Sequence, residues 1–135
     1  MQLTREKYRL IQYHFVQFFA EHLSDASKAF DGDLQEMLVL AVIGQVALQA
    51  DGQGRGNASI SASRLSDVTG VPRQTVRRKL ESLKDRGWIE KVEDAGWRLL
   101  VEQDQAAPAQ VDLLELDARG MERIIKLVRT LGPYV

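Results

Sequence analysis

Five basic residues, Arg64, Arg73, Arg77, Arg78 and Lys79, fall between Arg64 and Leu80, against the single acid Asp67. Arginine can meet guanine O6 and N7 with two hydrogen bonds, and glutamine can do the same with adenine N6 and N7. Gln74, Arg77 and Arg78 therefore have the chemistry of major-groove readers. Arg73, Gln74 and Thr75 open a helix, where unpaired backbone N–H groups and the positive end of the helix dipole favour a phosphate. The bland alternative for such a run is a solvated basic face.

The elements that would position these side chains favour the first meaning. Val76, Leu80 and Leu83 recur at spacings of four and three, which puts them on one side of a helix expected over about 73–86. The opposite side carries Gln74, Arg78, Glu81 and Asp85, flanked by Arg77. Upstream, Ser61 is a good N-cap for a helix starting at Ala62, with Leu65 and Val68 as its buried side. Gly70 can take the left-handed conformation that ends that helix, and Pro72 suits the start of the next. Ser61 and Ser63 add hydroxyls to the candidate DNA contacts. Downstream of Gly87, the runs Trp88, Ile89, Val92 and Trp97, Leu99, Val101 flank Asp94-Ala95-Gly96 as a hairpin would. Lys91 and Arg98 on its strands can reach a flanking phosphate or minor groove if they point outward. Trp88 and Trp97 are expected in the core rather than stacked on bases.

A leucine, a small residue and a glycine, then Val71, Thr75-Val76, Arg78 and Leu80, a second glycine and a hairpin follow one another in ISASRLSDVTGVPRQTVRRKLESLKDRGWIEKVEDAGWRLLV (60–101). This order resembles winged-helix transcription regulators of the MarR type, and also the DNA-binding half of cyclic-nucleotide-receptor-type regulators. Ser66 stands where such proteins often have alanine. The resemblance implies a double-stranded DNA partner. It also implies a homodimer whose interface is built by the N- and C-terminal helices, and relatives of this type often bind a small aromatic effector. No ligand signature is visible here.

A net charge of −1 over 135 residues argues against indiscriminate coating of nucleic acid, but the charge is unevenly placed. Glu102, Asp104, Asp112, Glu115 and Asp117 are unopposed by any base between Leu99 and Ala118, so the positive field is confined to the reading helices. The absence of cysteine removes disulfides and thiolate chemistry and is compatible with a reducing compartment. No signal peptide is visible, because Thr4-Arg5-Glu6-Lys7 interrupts any apolar start. The apolar run Leu38–Leu48 falls short of the ~20 residues that span a bilayer. A cytoplasmic protein is expected, with no membrane partner.

No constellation for catalysis stands out, so no enzyme, cofactor or metal is expected. His14 and His22, roughly 12 Å apart along one helix at 1.5 Å per residue, are too far apart to share a metal. Packing or surface roles suit both. Glu21 and Asp25 beside His22 amount to a weak carboxylate–imidazole cluster. Gly52, Gly54 and Gly56 lack the lysine and hydroxyl of a phosphate loop.

The remaining segments carry or pair this module. Residues Thr4 to about Phe30 hold six of the nine aromatic side chains and no proline or glycine, giving a long helix with a bend or break near Ser24. Its apolar residues, Ile11, Phe15, Phe18, Phe19 and Leu23 among them, cover a broad arc that needs two neighbours, either both within this chain or, as so small a DNA-binding core favours, one of them in another subunit. Asp31-Gly32-Asp33 marks a turn and N-cap. Leu34–Ala50 should be the buried central helix, and Asp51–Asn57 a loop, with a short strand near Ser59–Ser61. Glu102–Gln110 suggests a connection. Met121, Ile124, Ile125, Val128 and Leu131 define a last helix that starts between Asp112 and Asp117 and stops at Gly132-Pro133.

The expected fold is mostly α with a small β-wing, in one winged-helix domain over 1–135. Residues 1–30 form an N-terminal dimerisation helix, 31–101 the winged helix-turn-helix core, and 102–135 a linker and C-terminal dimerisation helix. The expected function is sequence-specific DNA binding by a dimeric transcriptional regulator. A winged-helix protein-interaction or assembly module is the alternative, and it should show apolar residues where Gln74, Arg78 and Glu81 stand.

Overall fold

The computed structural model describes residues 3–94, 96–102 and 105–135. Ala95 of the expected hairpin turn and Gln103 and Asp104 of the expected connection lie outside the described residues. The elements are α1 (Arg5–Ala29), α2 (Leu34–Gly52), α3 (Ala62–Thr69), α4 (Arg73–Asp85), β1 (Ile89–Val92), β2 (Gly96–Leu99), α5 (Pro108–Asp112), α6 (Leu114–Leu131) and a 3-10 turn, Gly132–Tyr134. They group into two compact units, Gly32–Asp112 and Met1–Asp31 with Leu113–Val135.

In the Gly32–Asp112 unit, α2, α3, α4 and the hairpin surround one apolar core. Ile43, Leu65, Val76, Leu80 and Leu83 are at most 1 % exposed, and each such side chain contributes roughly 1.5–3 kcal/mol of burial. The hairpin is antiparallel, with Ile89 opposite Leu99 and Glu90 opposite Arg98. A third segment joins it at one residue only. Ile60 and Trp97 exchange two backbone hydrogen bonds of 2.8 Å, which is what remains of the strand expected near Ser59–Ser61. Gly96 makes this approach possible, because it sits at φ +101° and a Cβ there would run into the Ile60 carbonyl.

Three expectations are corrected in this unit. Only one side of α2 is buried: Val39, Leu40 and Ile43 are inside, while Leu34, Leu38 and Leu48 are 38–65 % exposed. Val68 is half exposed beside the fully buried Leu65, because the hydroxyls of Ser66 and Thr69 occupy the inner side of the turn and Val71 supplies the second apolar contact. The connection after the wing is more ordered than its composition suggests. Ala107 and Ala109 are buried, and Asp112 at the end of α5 accepts the Trp88 indole N–H at 2.7 Å. By length and composition alone α2 could cross a membrane, yet its buried Glu36 is bonded to Ser82 and Arg86 of the same unit, as a core helix requires.

In the other unit, α1 and α6 run antiparallel, with Asp25 beside Arg119 and Arg123 and His14 beside Thr130. Helix α1 is continuous through Ser24, so the expected break is absent. His22 stacks on Phe18 with ring centroids 6.0 Å apart, and Gly120 gives it room, since a Cβ there would lie 2.8 Å from the ring. The Glu21–His22–Asp25 cluster does not form. Hydrogen bonds from Arg119 and Arg123 outweigh burial and hold the Asp25 carboxyl well below the usual carboxylate range.

Candidate nucleic-acid interface

The turn between α3 and α4 is closed by side chains as well as by glycine. Gly70 has φ +74° and ends α3 in the left-handed conformation. The Ser66 hydroxyl donates to the Val71 carbonyl at 2.6 Å, and the Thr69 hydroxyl accepts from the Val71 amide at 3.1 Å. Ser66 therefore does work that an alanine at this position would not. Ser61 caps α3 by accepting from the Arg64 amide at 3.0 Å, which leaves its O–H proton available to a phosphate. Ser63 is exposed on the same helix.

Helix α4 begins directly after Pro72, with no side-chain cap on its first amides. Its N-terminus thus keeps the N–H groups and positive dipole end that suit an anion. Arg73, Gln74, Arg77 and Arg78 are exposed, and Thr75 is half-buried. They lie away from Val76, Leu80 and Leu83, which face the core. Arg78 donates to the Thr75 hydroxyl at 3.3 Å, a contact that holds its guanidinium along the helix.

The wing presents its two candidates unequally. Lys91 is exposed, with its ammonium 6.0 Å from the Trp97 ring centroid. Arg98 is paired across the ladder with Glu90 at 2.7 Å, so its charge is already partly neutralised. Trp88 and Trp97 are buried, 5 % and 7 % exposed, as their place beside α4 and in the hairpin predicts.

Lys79 belongs to a different surface from the other basic residues of α4. Its ammonium lies 2.6 Å from Asp33, the N-cap of α2. Glu36, one turn further on, accepts from the Ser82 hydroxyl at 2.8 Å and lies 3.2 Å from the Arg86 guanidinium. Burial raises the Asp33 carboxyl. The Lys79 hydrogen bond, the Glu36 amide and the charges of Lys79 and Arg86 outweigh that, and its pKa falls below the ordinary value. Reading the charges along one strand of sequence does not reveal this set. The available signal is the spacing of Asp33 with Glu36 and of Lys79, Ser82 and Arg86, each a stripe on its own helix.

A helix-turn-helix with a left-handed glycine turn, an exposed polar second helix and a two-stranded hairpin defines a winged helix. The MarR family model matches residues 33–97, from the N-cap of α2 into β2. That stretch is similar to the MarR family of winged-helix transcription regulators. Neither the curated proteins nor the solved structures give a match.

Proposed function

We propose that the protein is a transcriptional regulator that binds specific duplex DNA as a homodimer, with α4 in the major groove. The observation that carries this reading is the exposed polar side of α4. Arg73, Gln74, Arg77 and Arg78 project away from a buried Val76–Leu80–Leu83 seam, and an interaction module would show apolar residues there. Arg78 and Gln74 read base edges, Arg77 flanks them, and Arg73 and Thr75 hold phosphate at the helix start. Ser61, Ser63 and Lys91 add backbone contacts, and Arg98 joins them when it leaves Glu90.

The dimer is supported by apolar surface on the two-helix unit. Phe15 and Phe19 stack on each other at 6.0 Å and are about half exposed, as are Ile124 and Ile125, with Met121 and Val128 more so. A two-fold dimer would set its reading helices on half-sites about one DNA turn apart, roughly 10 base pairs, on an imperfect palindrome. The protein would act in the cytoplasm.

An electrophoretic mobility assay against the DNA upstream of the protein's own coding region tests the reading. A shifted band that survives excess non-specific competitor is expected, and its absence together with a strictly monomeric light-scattering mass at micromolar concentration would overturn both halves.

A further inference from the structure

Helix α4 carries a third stripe besides its seam and its reading side. Lys79, Ser82 and Arg86 lie three and four residues apart on one flank and meet two acids at the start of α2, Asp33 at 2.6 Å from Lys79 and Glu36 at 2.8 and 3.2 Å from Ser82 and Arg86. Glu36 is only 3 % exposed. Net stability is a weak reason for such a group, because the cost of removing a charge from water offsets much of its attraction to a partner. Geometry is a stronger one. The aliphatic seam of Val76, Leu80 and Leu83 is held by burial, which has no direction, and leaves the rotation of α4 about its own axis loosely defined. Hydrogen bonds and ion pairs have direction, and three of them on one flank remove that freedom.

We propose that Asp33 and Glu36 are positioning residues for DNA reading. Through Lys79, Ser82 and Arg86 they fix the rotation of α4, and so decide which base edges Gln74 and Arg78 meet, without touching DNA themselves. This rests on the DNA-binding reading above. It removes Lys79 from the phosphate contacts that its place in a basic run suggests.

The two roles of Lys79 separate in a binding experiment on the full chain. The probes are the duplex that the wild-type protein enriches from a random-sequence pool and a scrambled version of that duplex, each titrated at several salt concentrations. Asp33→Asn keeps the N-cap acceptor and Lys79→Met keeps the aliphatic stem, while each breaks the ion pair. Each substitution should lower the ratio of enriched to scrambled affinity about tenfold, on the scale of one lost base contact. The double variant should lose no more than either single one, the salt slope should stay unchanged, and Lys79→Arg should restore the ratio. If Lys79→Met instead weakens both duplexes alike and flattens the slope by about one unit, Lys79 is a phosphate contact and the proposal fails. An unchanged ratio in Asp33→Asn and Lys79→Met also overturns it. Should Asp33→Asn lose its helical circular dichroism, Glu36→Gln, which keeps an acceptor for Ser82 and drops the charge opposite Arg86, gives the same reading. If the wild type enriches no duplex, the DNA-binding reading itself falls and takes this one with it, an outcome distinct from variants that discriminate as well as the wild type.

Discussion

The winged-helix unit and the two-helix unit dispose of their apolar residues in opposite ways. In the first, Leu65, Val76, Leu80 and Leu83 are at most 1 % exposed, and in the second Tyr13, Met121 and Val128 are 61–64 % exposed. The second instead places charge between its helices, where Asp25 is held by Arg119 at 2.7 Å and Arg123 at 2.8 Å. The cause is geometric. Helix α4 has neighbours on α2, α3 and β1, whereas two paired helices can cover only one arc of each other and leave the rest of a broad apolar surface open. The winged-helix unit closes a core around α4 within its own chain, with Leu34, Leu38 and Leu48 left exposed on α2, whereas the two-helix unit leaves much of its broad apolar surface open.

The largest expected effect tests this contrast directly. Leu83→Ala should cost about 2–5 kcal/mol in denaturant unfolding, because it empties a closed core. Val128→Ala should change monomer stability by no more than ~0.5 kcal/mol, while Val128→Glu should lower the association state seen by sedimentation. Equal stability losses at the two sites would erase the distinction.

Next in size is the reading side of α4. Arg78→Ala should cost roughly 1–3 kcal/mol per half-site on the preferred duplex and relax sequence preference. Arg73→Ala should weaken all duplexes alike and flatten the salt dependence by about one unit of slope. Parallel titrations of preferred and scrambled duplexes check both, and equal loss on both for Arg78→Ala would mean that the base-reading side lies elsewhere.

The ion pairs of the two-helix unit give a smaller, pH-dependent effect. Asp25 is depressed in the folded state, so its contribution is fully present above the unfolded value near 3.9 and is lost as pH falls below about 4. Asp117, raised by burial against the opposing influence of His22, works the other way and favours the fold as it takes up its proton. Thermal unfolding from pH 7 to pH 3, compared with Asp25→Asn, isolates the first term. The variant should show a weaker loss of stability over the acid range, and identical curves would remove Asp25 from the account.

The smallest effect belongs to the wing. Glu90→Gln should free Arg98 and strengthen DNA binding by ~0.2–1 kcal/mol, since an exposed pair of this kind is worth little in water. Fluorescence anisotropy at low salt is sensitive enough to see it. Weaker binding would mean that Glu90 orients Arg98 rather than competing for it.

Much of the winged helix was legible in the sequence because its punctuation is local. Ser61, Gly70, Pro72 and Gly87 mark boundaries through backbone chemistry that does not depend on the rest of the chain, and the 3-4 spacing of Val76, Leu80 and Leu83 names the buried side. What stayed hidden depends on pairing between distant residues. Lys79 reads as one more cation until Asp33 is brought beside it from 46 positions away. Asp112 looks like a candidate start of the last helix until it meets the Trp88 indole, and Asp25 looks like a partner for His22 until α6 supplies two arginines. Val68 was misplaced for a related reason, since the sequence does not say that two hydroxyls will fill the inner side of the turn.

The two-helix unit is assembled from segments on either side of a continuous one, residues up to Asp31 and from Leu113 onward enclosing Gly32–Asp112. On the ribosome this has a consequence for the order of events. Helix α1 is synthesised before the 32–112 segment and must wait, with His14 and Phe18 uncovered, until α6 has been made. The intervening 32–112 segment needs nothing that follows it and can fold as soon as it emerges. Once folded, it replaces a long flexible loop with a fixed connector, which lowers the entropy lost when α1 and α6 meet. The aromatic helix is thus made before the winged-helix unit and meets its partner helix only after it.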